Sequence, residues 1–261
     1  MLEINMESRK SFRILKFKKS KPVLKISGIS KSYGHRLVLK KINFELHKSE
    51  IFGVLGPNGC GKTTIFNSIM GICRINEGNI FVNNIKINNL PIHERATKFR
   101  IGYIPQNSAV FLGLTCEENI RAIAEIKIKE KSLQENKIQE LLSDFNLEYL
   151  KNIKAINLSG GEKKRLCISM ALVSNPQILL MDEPFAALDL ITIDMIKKII
   201  ISLQKKLISV IVTDHNAKDL MNVSDRCIII SNGEVIISGN PRKIINDPKA
   251  RQLYFGENFS I

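Results

Sequence analysis

No hydrophobic run in this chain is long enough to cross a membrane. The 261 residues are 44% hydrophobic, yet every apolar run is far shorter than the roughly 20 residues that a membrane-spanning helix requires. No hydrophobic segment follows the first basic residues, so the sequence predicts no export signal. We therefore expect a protein without a membrane span of its own, with enough apolar residues for one large domain or a domain with a subdomain.

Cysteine is also scarce, and its spacing excludes two kinds of site. The five cysteines are Cys60, Cys73, Cys116, Cys167 and Cys227. They are odd in number, scattered and never in C-x-x-C spacing, which argues against a disulfide framework and against a zinc site. We expect reduced thiols in a cytosolic protein.

Acidic residues are few relative to basic ones, and the formal net charge is +14. Such a charge can indicate a nucleic-acid or anionic membrane partner. Lysine, isoleucine and asparagine are all abundant, however, which is typical of compositional drift, and many basic residues lie between Arg9 and Lys21. We attribute the charge to drift and to a flexible basic extension over residues 1–21, and expect no nucleic-acid partner.

Hydrophobic patterning in the first third of the chain predicts antiparallel strands. Apolar and polar residues alternate over 23–26 and 37–46, as in half-buried strands. Residues 78–87 predict a hairpin with Asn83 and Asn84 at its turn. From 91 to about 158 helical spacing predominates, with helices predicted over 117–128 and 133–145. This stretch therefore predicts a mainly helical insert.

The last third of the chain has a different pattern. Continuous apolar runs lie at 178–181, 208–212 and 227–230. Helical stretches separate them, which predicts a mostly parallel sheet buried on both faces. Residues 241–261 form a polar tail with a few hydrophobic anchors.

The most specific motif follows the apolar run 51–55. It reads G-x-x-x-x-G-K-T over residues 56–63, and with the threonine that follows it comprises Gly56, Pro57, Asn58, Gly59, Cys60, Gly61, Lys62, Thr63 and Thr64. Glycines in a strand–loop–helix setting turn backbone N–H groups toward a phosphate, and the helix dipole adds positive potential. Lys62 would reach the β- and γ-phosphates, and the Thr63 hydroxyl would ligate Mg²⁺. The alternative, a glycine-rich turn that only caps a helix, does not explain eight constrained positions.

Two acidic residues end the apolar run 178–181. Asp182 lies where a carboxylate would hold Mg²⁺ next to a phosphate loop, and Glu183 would polarise an attacking water as general base. A strand-end turn with solvated acids is the alternative. The upstream phosphate loop makes that alternative the weaker one.

A third motif, Leu158-Ser159-Gly160-Gly161-Glu162, precedes a helical stretch. Ser159 and Glu162 have the spacing of a capping box, which is a purely structural role. Gly160 and Gly161 would also leave backbone N–H groups free to contact an anion.

Together these motifs resemble the ATP-binding subunits of ABC transporters, over residues 23–240. The resemblance implies an α/β fold: a P-loop NTPase core with a mostly parallel sheet, an antiparallel β subdomain and a helical subdomain insert. The ATP-binding domain would span 22–261, with the insert at about 91–158 and the tail at about 241–261. It also implies an ATPase that binds ATP and Mg²⁺.

The resemblance assigns further roles. Tyr33 would stack on adenine, Gln106 would contact Mg²⁺ and relay the nucleotide state, Asp189 would lie at a dimer seam, and His215 would hold the γ-phosphate. Tyr33 could equally be an exposed tyrosine in a loop, and a lone histidine after a buried strand is more often structural. We interpret the other histidines, His35, His47 and His93, as surface residues.

The family pattern implies partners as well. A second copy would stack head to tail, so that Ser159–Gly161 of one chain closes over the ATP held by the other. Two integral membrane permease subunits would dock near Gln106 and Phe111, on the cytoplasmic face of the inner membrane, without direct contact between this chain and the cargo.

Finer phrases narrow the family. The phrase Thr213-Asp214-His215-Asn216 and the ending 254–259 resemble the ATPases of lipopolysaccharide export in Gram-negative bacteria. Cys60 and Leu112 depart from that pattern, since an alanine or serine and an arginine are usual there. A branched-chain amino acid importer ATPase and a soluble ABC ATPase acting on nucleic acid or the ribosome stay as alternatives.

Overall fold

The computed structural model describes residues 21–107 and 109–255. In chain order the strands are β1 (Leu24–Tyr33), β2 (Arg36–Leu46), β3 (Ile51–Leu55), β4 (Glu77–Val82), β5 (Ile85–Lys86), β6 (Ile101–Ile104), β7 (Ile178–Asp182), β8 (Ser209–Thr213), β9 (Arg226–Ser231) and β10 (Glu234–Gly239). They form a four-stranded sheet in the order β2-β1-β4-β5 and a six-stranded sheet in the order β10-β9-β3-β8-β7-β6.

Helices flank these sheets. They are α1 (Lys62–Met70), α2 (Ile92–Thr97), α3 (Cys116–Lys127), α4 (Lys131–Asp144), α5 (Gly160–Leu172), α6 (Leu190–Lys205), α7 (Ala217–Val223), α8 (Pro241–Ile245) and α9 (Pro248–Ala250), with a π-helical turn at Arg251–Phe255. None of the helices in the described ranges is long and apolar enough to span a bilayer.

The six-stranded sheet is mostly parallel. The strands β9, β3, β8, β7 and β6 run parallel, and only β10 pairs antiparallel at one edge. Every residue of β3, β7 and β8 is buried, because one face of the sheet packs against helices and the other packs against α1 and the antiparallel sheet. The carboxyl ends of these strands therefore meet at one edge. The predicted α/β fold is confirmed.

The four-stranded sheet is antiparallel, as the alternating pattern predicted. Its hairpin turns at Asn83 and Asn84, whose φ angles are +50° and +65°, a conformation that asparagine tolerates well. Phe44 of this sheet stacks on Phe52 of the central sheet with ring centroids 5.2 Å apart. Such a pair stabilises by about 0.5–1.5 kcal/mol beyond its buried area, and here it joins the two sheets.

The stretch predicted as a helical insert, about 91–158, is not helical throughout. Residues 101–104 form β6, which pairs with β7 in the central sheet, so the first part of this stretch belongs to the core. The helical part comprises α3 and α4, joined by Arg121, which contacts Glu117 and Glu135. A strand of four residues is too short for periodicity to separate it from a helix, which is why the pattern missed β6.

The surface prediction for His47 is wrong. Its exposed fraction is 6%, and its backbone N–H donates to Glu50 Oε2 at 2.7 Å. Burial raises the pKa of Glu50, and the neighbouring Arg226 guanidinium opposes that shift. A buried polar network thus lies at the amino edge of the central sheet. His35 and His93 are exposed, as predicted.

Two parts of the sequence interpretation lie outside the described residues. The basic extension does so except for Lys21, as does the end of the tail at 256–261. None of the five cysteines, all of which lie in the described ranges, forms a disulfide, in agreement with the sequence prediction.

Candidate active site

The glycine-rich loop connects β3 to α1 at the carboxyl edge of the central sheet. Gly61 has φ +109°, and a Cβ there would lie 2.6 Å from Leu39 Cδ2. A Cβ on Gly56 would lie 2.3 Å from the backbone oxygen of Ile230. Any larger residue at these two positions would push the loop away from its neighbours, so glycine is required for the backbone path.

The first turn of α1 has the properties of an anion site. It contains no acidic residue, and no side chain caps its N-terminus at Gly61, so its N–H groups and the helix dipole face the loop. Lys62 is buried, with Nζ donating to the carbonyl oxygens of Gly56 at 2.8 Å and Pro57 at 3.0 Å. The ammonium group is thereby held over the loop that would cradle a phosphate.

A cavity of about 150 Å³ lies against this loop. It is lined by Val38, Asn58, Gly59, Gly61, Lys62, Thr63, Thr64 and Glu183. The structure therefore brings the predicted phosphate loop and the predicted base to one concavity. Cys60 is buried beneath the loop, where burial raises the pKa of its thiol and the charge of Lys62 opposes that shift.

Asp182 ends β7 next to this cavity and is almost fully buried. Its Oδ1 accepts a 2.5 Å hydrogen bond from the Thr213 hydroxyl, and its Oδ2 lies 3.4 Å from the Tyr103 hydroxyl. Burial and the negative charge of Asp182 raise the pKa of Tyr103 to about 12. Tyr103 therefore stays protonated as a donor to the carboxylate.

Glu183 is the centre of a small polar cluster. Gln106 Nε2 donates to Glu183 Oε2 at 2.8 Å, and His215 Nδ1 lies 3.6 Å from the same oxygen. Glu183 has φ +47°, a costly backbone conformation for a residue with a Cβ, of the kind found at functional sites. Its backbone N–H donates to the Thr213 carbonyl at 2.9 Å, which fixes the turn.

Lys164 was not singled out by the sequence motifs. Its ammonium group is buried and donates to the backbone oxygen of Gln106 at 3.0 Å. Burial lowers the pKa of Lys164, while the nearby carboxylates of Asp182 and Glu183 raise it. Val38 and Thr213 were missed as well. A lysine inside an amphipathic helix and a valine in a strand have no sequence signal that separates them from ordinary surface and core residues.

The Ser159–Gly161 segment lies elsewhere and does not line the cavity. Ser159 caps α5, accepting from Glu162 N at 3.3 Å, while Glu162 Oε2 accepts from Ser159 N at 2.8 Å. The predicted capping box is therefore present. A Cβ on Gly161 would lie 2.5 Å from Thr192 Cγ2, so this segment adjoins the start of α6.

Asp189 caps that same helix. Its carboxylate accepts from the backbone N–H of Thr192 at 2.9 Å and from the Thr192 hydroxyl at 2.6 Å. The next two residues, Leu190 and Ile191, are each 79% exposed. Ser159–Gly161 and Asp189 thus share one surface that carries two exposed apolar side chains.

Tyr33 is the last residue of β1 and half exposed, so it lies at a strand end and not in a loop. The Lys31 ammonium group lies 4.9 Å from the centre of its ring. A cation against an aromatic face is a favourable contact. The nearby Cys73 side chain raises the pKa of the Tyr33 hydroxyl, and Thr64 of α1 opposes that shift.

Comparison with known proteins decides the family. The ABC transporter family profile matches residues 39–186. The chain belongs to the ABC transporter ATP-binding family. It is therefore the ATPase subunit of an ABC transporter, a member of an ATP-hydrolysing enzyme family, and the predicted enzyme class is confirmed.

Relatives of this ABC ATPase align along most of their length. The lipopolysaccharide export system ATP-binding protein LptB of Haemophilus influenzae is 38% identical over 241 residues, covering 92% of this chain and 99% of that protein. LptB of Escherichia coli K12 is 37% identical over 239 residues, covering 91% and 99%. An ABC transporter ATP-binding protein of Rhizobium meliloti, whose name states no cargo, is 40% identical over 234 residues, covering 90% and 86%.

Solved ABC cassettes share the fold. The ADP conformation of MJ1267, an ATP-binding cassette of an ABC transporter, superposes with a TM-score of 0.81 at 27% identity, covering 91% of this chain and all of that one. A dimeric post-hydrolysis state of the cassette MJ0796, bound to ADP and phosphate, gives 0.73 at 29% identity, covering 84% and 99%. The family relationship and the loop geometry together establish an ATP/ADP-binding cassette.

Proposed function

We propose that this ABC ATPase supplies the energy for lipopolysaccharide export. The assignment of lipopolysaccharide as the cargo is supported by the full-length match to two LptB proteins, each aligned over 99% of its length. The observation that carries the chemistry is the cluster of Gln106, Glu183 and His215 around one carboxylate oxygen beside the phosphate loop. The named relatives favour export over branched-chain amino acid import.

In this proposal Glu183 is the general base and His215 holds the γ-phosphate and orients the attacking water. Glu183 lines the cavity, and its side chain is only 14% exposed, so its carboxylate is shielded from bulk water. His215 is 56% exposed and is free to turn toward a phosphate. Thr64, Asn58 and the glycines of the loop would supply backbone N–H donors to the β-phosphate.

The residues present fit Mg²⁺. Thr63, Asp182 and Gln106 offer a hydroxyl, a carboxylate and an amide oxygen, and oxygen ligands are what Mg²⁺ prefers. Within the described residues no group of three or more histidine, cysteine or carboxylate side chains could hold a metal alone, which agrees with an ion that arrives with the nucleotide phosphates. When bound, Mg²⁺ would neutralise phosphate charge.

We propose that the complete site needs a second copy of the chain. The surface of Ser159, Gly160, Gly161 and Asp189 does not line the cavity of its own chain, and exposed Leu190 and Ile191 lie beside it. Head-to-tail pairing would place this surface over the ATP of the partner, with two-fold symmetry. The dimeric cassette MJ0796 supports this arrangement. Tyr33 would stack on the adenine through the ring face that Lys31 leaves open.

The segment after Gln106 supports docking of two membrane permease subunits. Phe111 and Leu112 are each 49% exposed, and Ile153 and Ile156 are exposed close by. The backbone N–H of Ile156 donates to the Leu112 carbonyl at 3.1 Å, which brings the two apolar stretches together. Leu112 replaces the usual arginine with an apolar side chain, so the partner surface would be apolar here. The chain would lie on the cytoplasmic face of the inner membrane and would not contact the cargo.

Purification from membranes tests the proposal. The tagged chain should recover two six-helix permease-like proteins, and the reconstituted complex should hydrolyse ATP faster with lipopolysaccharide in the bilayer. Recovery of an amino acid permease pair would replace the cargo and leave the ATPase intact. Salt-dependent binding of RNA or DNA at physiological ionic strength would instead support the nucleic-acid alternative.

A further inference from the structure

Asp214 lies between the end of β8 and His215, and its side chain is completely buried. Its Oδ2 accepts a hydrogen bond from the backbone N–H of Phe185 at 3.0 Å. Its Oδ1 accepts one from the backbone N–H of Asn216 at 2.9 Å. One carboxylate therefore joins two loops that leave different strands of the central sheet.

These two loops carry the proposed catalytic pair. Phe185 comes two residues after Glu183, and Asn216 directly follows His215. His215 Nδ1 lies 3.7 Å from Asp214 Oδ1 and 3.6 Å from Glu183 Oε2. The two backbone hydrogen bonds that Asp214 accepts, which we call the bracket, thus lie next to Glu183 and His215, whose separation would matter for hydrolysis.

The loop after His215 is also anchored from its other side. The Asn216 side chain exchanges hydrogen bonds with Asp219, at 3.2 Å and 2.6 Å. Lys197 of α6 holds Asp219 at 2.9 Å. These contacts fix the start of α7, but Asp214 is the side chain that reaches across to the Phe185 segment.

We propose that Asp214 is a positioning residue for ATP hydrolysis, which sets the distance between Glu183 and His215 by holding both loops through their backbone. The inference rests on the proposed roles of those two residues. Two charge-assisted hydrogen bonds from backbone N–H groups to one buried carboxylate are strong and directional, and catalytic groups need support of this kind to keep their geometry. Burial raises the pKa of Asp214, whereas its two N–H donors and His215 favour the ionised form.

The substitution Asp214→Asn tests this role. The amide oxygen can accept from one backbone N–H, while its NH₂ group faces the other, so one bond of the bracket is lost at nearly constant volume. We expect kcat to fall at least about tenfold with the KM for ATP within about threefold, because only the chemical step depends on the separation. In a His215→Ala background the same substitution should lower kcat little further, because Asp214 is proposed to act by positioning His215.

Asp225→Asn is the matched control. Asp225 is also buried, and its Oδ2 accepts from the backbone N–H of Ile51 at 3.0 Å and from Gln204 Nε2 at 2.5 Å, but it lies at the opposite edge of the sheet. This variant should lower the melting temperature and leave kcat per folded molecule unchanged. If Asp214→Asn does not fold, Asp214→Ser, which keeps a shorter acceptor, replaces it in the test. We expect the same result, a lower kcat with little change in the KM for ATP.

Three results would overturn the proposal: unchanged kcat in folded Asp214→Asn, a loss that adds fully to that of His215→Ala, or an equal loss of kcat in Asp225→Asn. Failure of the proposed function gives a separate outcome, since Glu183→Gln and His215→Ala would then retain turnover. The two failures are therefore distinguishable within one set of variants.

Discussion

The surroundings of Glu183 and the surface around Ser159 differ in how many contacts their own chain supplies. Glu183 is surrounded by side chains of the same chain, whereas the surface around Ser159 is open to solvent. Glu183 lies within hydrogen-bonding or near-contact distance of Gln106 and His215 and lines the cavity of the phosphate loop. Ser159 contacts mainly its own helix through the capping box. Its neighbours Leu190 and Ile191 point into solvent at 79% exposure.

The difference indicates that the two regions meet different structural requirements. Where groups must act within a fraction of an ångström, the fold brings them to one sheet edge and locks them with backbone hydrogen bonds. Where a surface must bind and release a partner in each cycle, large permanent contacts would be a disadvantage. In the proposed dimer, the Ser159–Gly161 segment would cap a helix at all times and would bind a phosphate only when the two chains close.

The largest effect should come from Glu183→Gln, which tests whether the first region is catalytic. The amide keeps the shape of the side chain but removes the base, so turnover should fall by about 10²- to 10⁴-fold. ATP binding should persist, as measured by equilibrium binding of labelled nucleotide. Glu94→Gln, which alters an exposed ion pair with Lys98, is the control. Turnover that survives in Glu183→Gln would remove its catalytic assignment.

Mixing two inactive variants tests whether the regions belong to different chains. Lys62→Ala should lose about 10²- to 10³-fold in turnover because a charge on the phosphates is removed, and Ser159→Arg should block closure of the partner. A 1:1 mixture should regain about a quarter of the wild-type rate, because half the dimers then contain one intact site. A chain carrying both substitutions should rescue neither variant. Absence of rescue in the first mixture would contradict head-to-tail pairing.

Asn119→Ala tests a third region, the loop beyond Gln106. Asn119 is fully buried and brackets Phe111, accepting from its N–H at 2.7 Å and donating to its carbonyl at 3.0 Å. Loss of these bonds should cost about 1–3 kcal/mol of unfolding free energy, measured by urea denaturation. Basal ATPase should stay within twofold while stimulation by the membrane subunits falls. Glu125→Ala, exposed on the same helix, should change neither quantity.

The smallest effect should come from Cys60→Ala. The thiol is 6% exposed and packs in the hydrophobic core, so turnover should stay within about twofold, as for a mild volume change. Because burial raises the pKa of Cys60, the thiol stays protonated near neutral pH, and its alkylation should speed up only as the pH rises through that higher value. Mass spectrometry after iodoacetamide should find Cys73 modified first. Rapid modification of Cys60 at neutral pH would contradict its burial.

Local sequence signals were sufficient where one short segment forms the whole structural feature. The glycine and lysine pattern at 56–64, the capping box at Ser159 and the asparagine turn at 83–84 are all formed by neighbouring residues. Each was predicted and each is present as a local structure. Local sequence signals failed where too few residues were available to show a pattern, as in the short strand β6 and at the single buried residue His47.

The sequence by itself determined the family, the positions of most strands along the chain, and the phosphate-loop motif, because these depend on local spacing and on hydrophobic period. Only the tertiary structure decided that Gln106, Glu183 and His215 meet at one oxygen, since they lie on loops that follow three different strands. It also decided that Asp214 and Lys164 are buried behind them. Parallel pairing of β6, β7 and β8 is the physical reason, because it aligns their carboxyl ends at one edge.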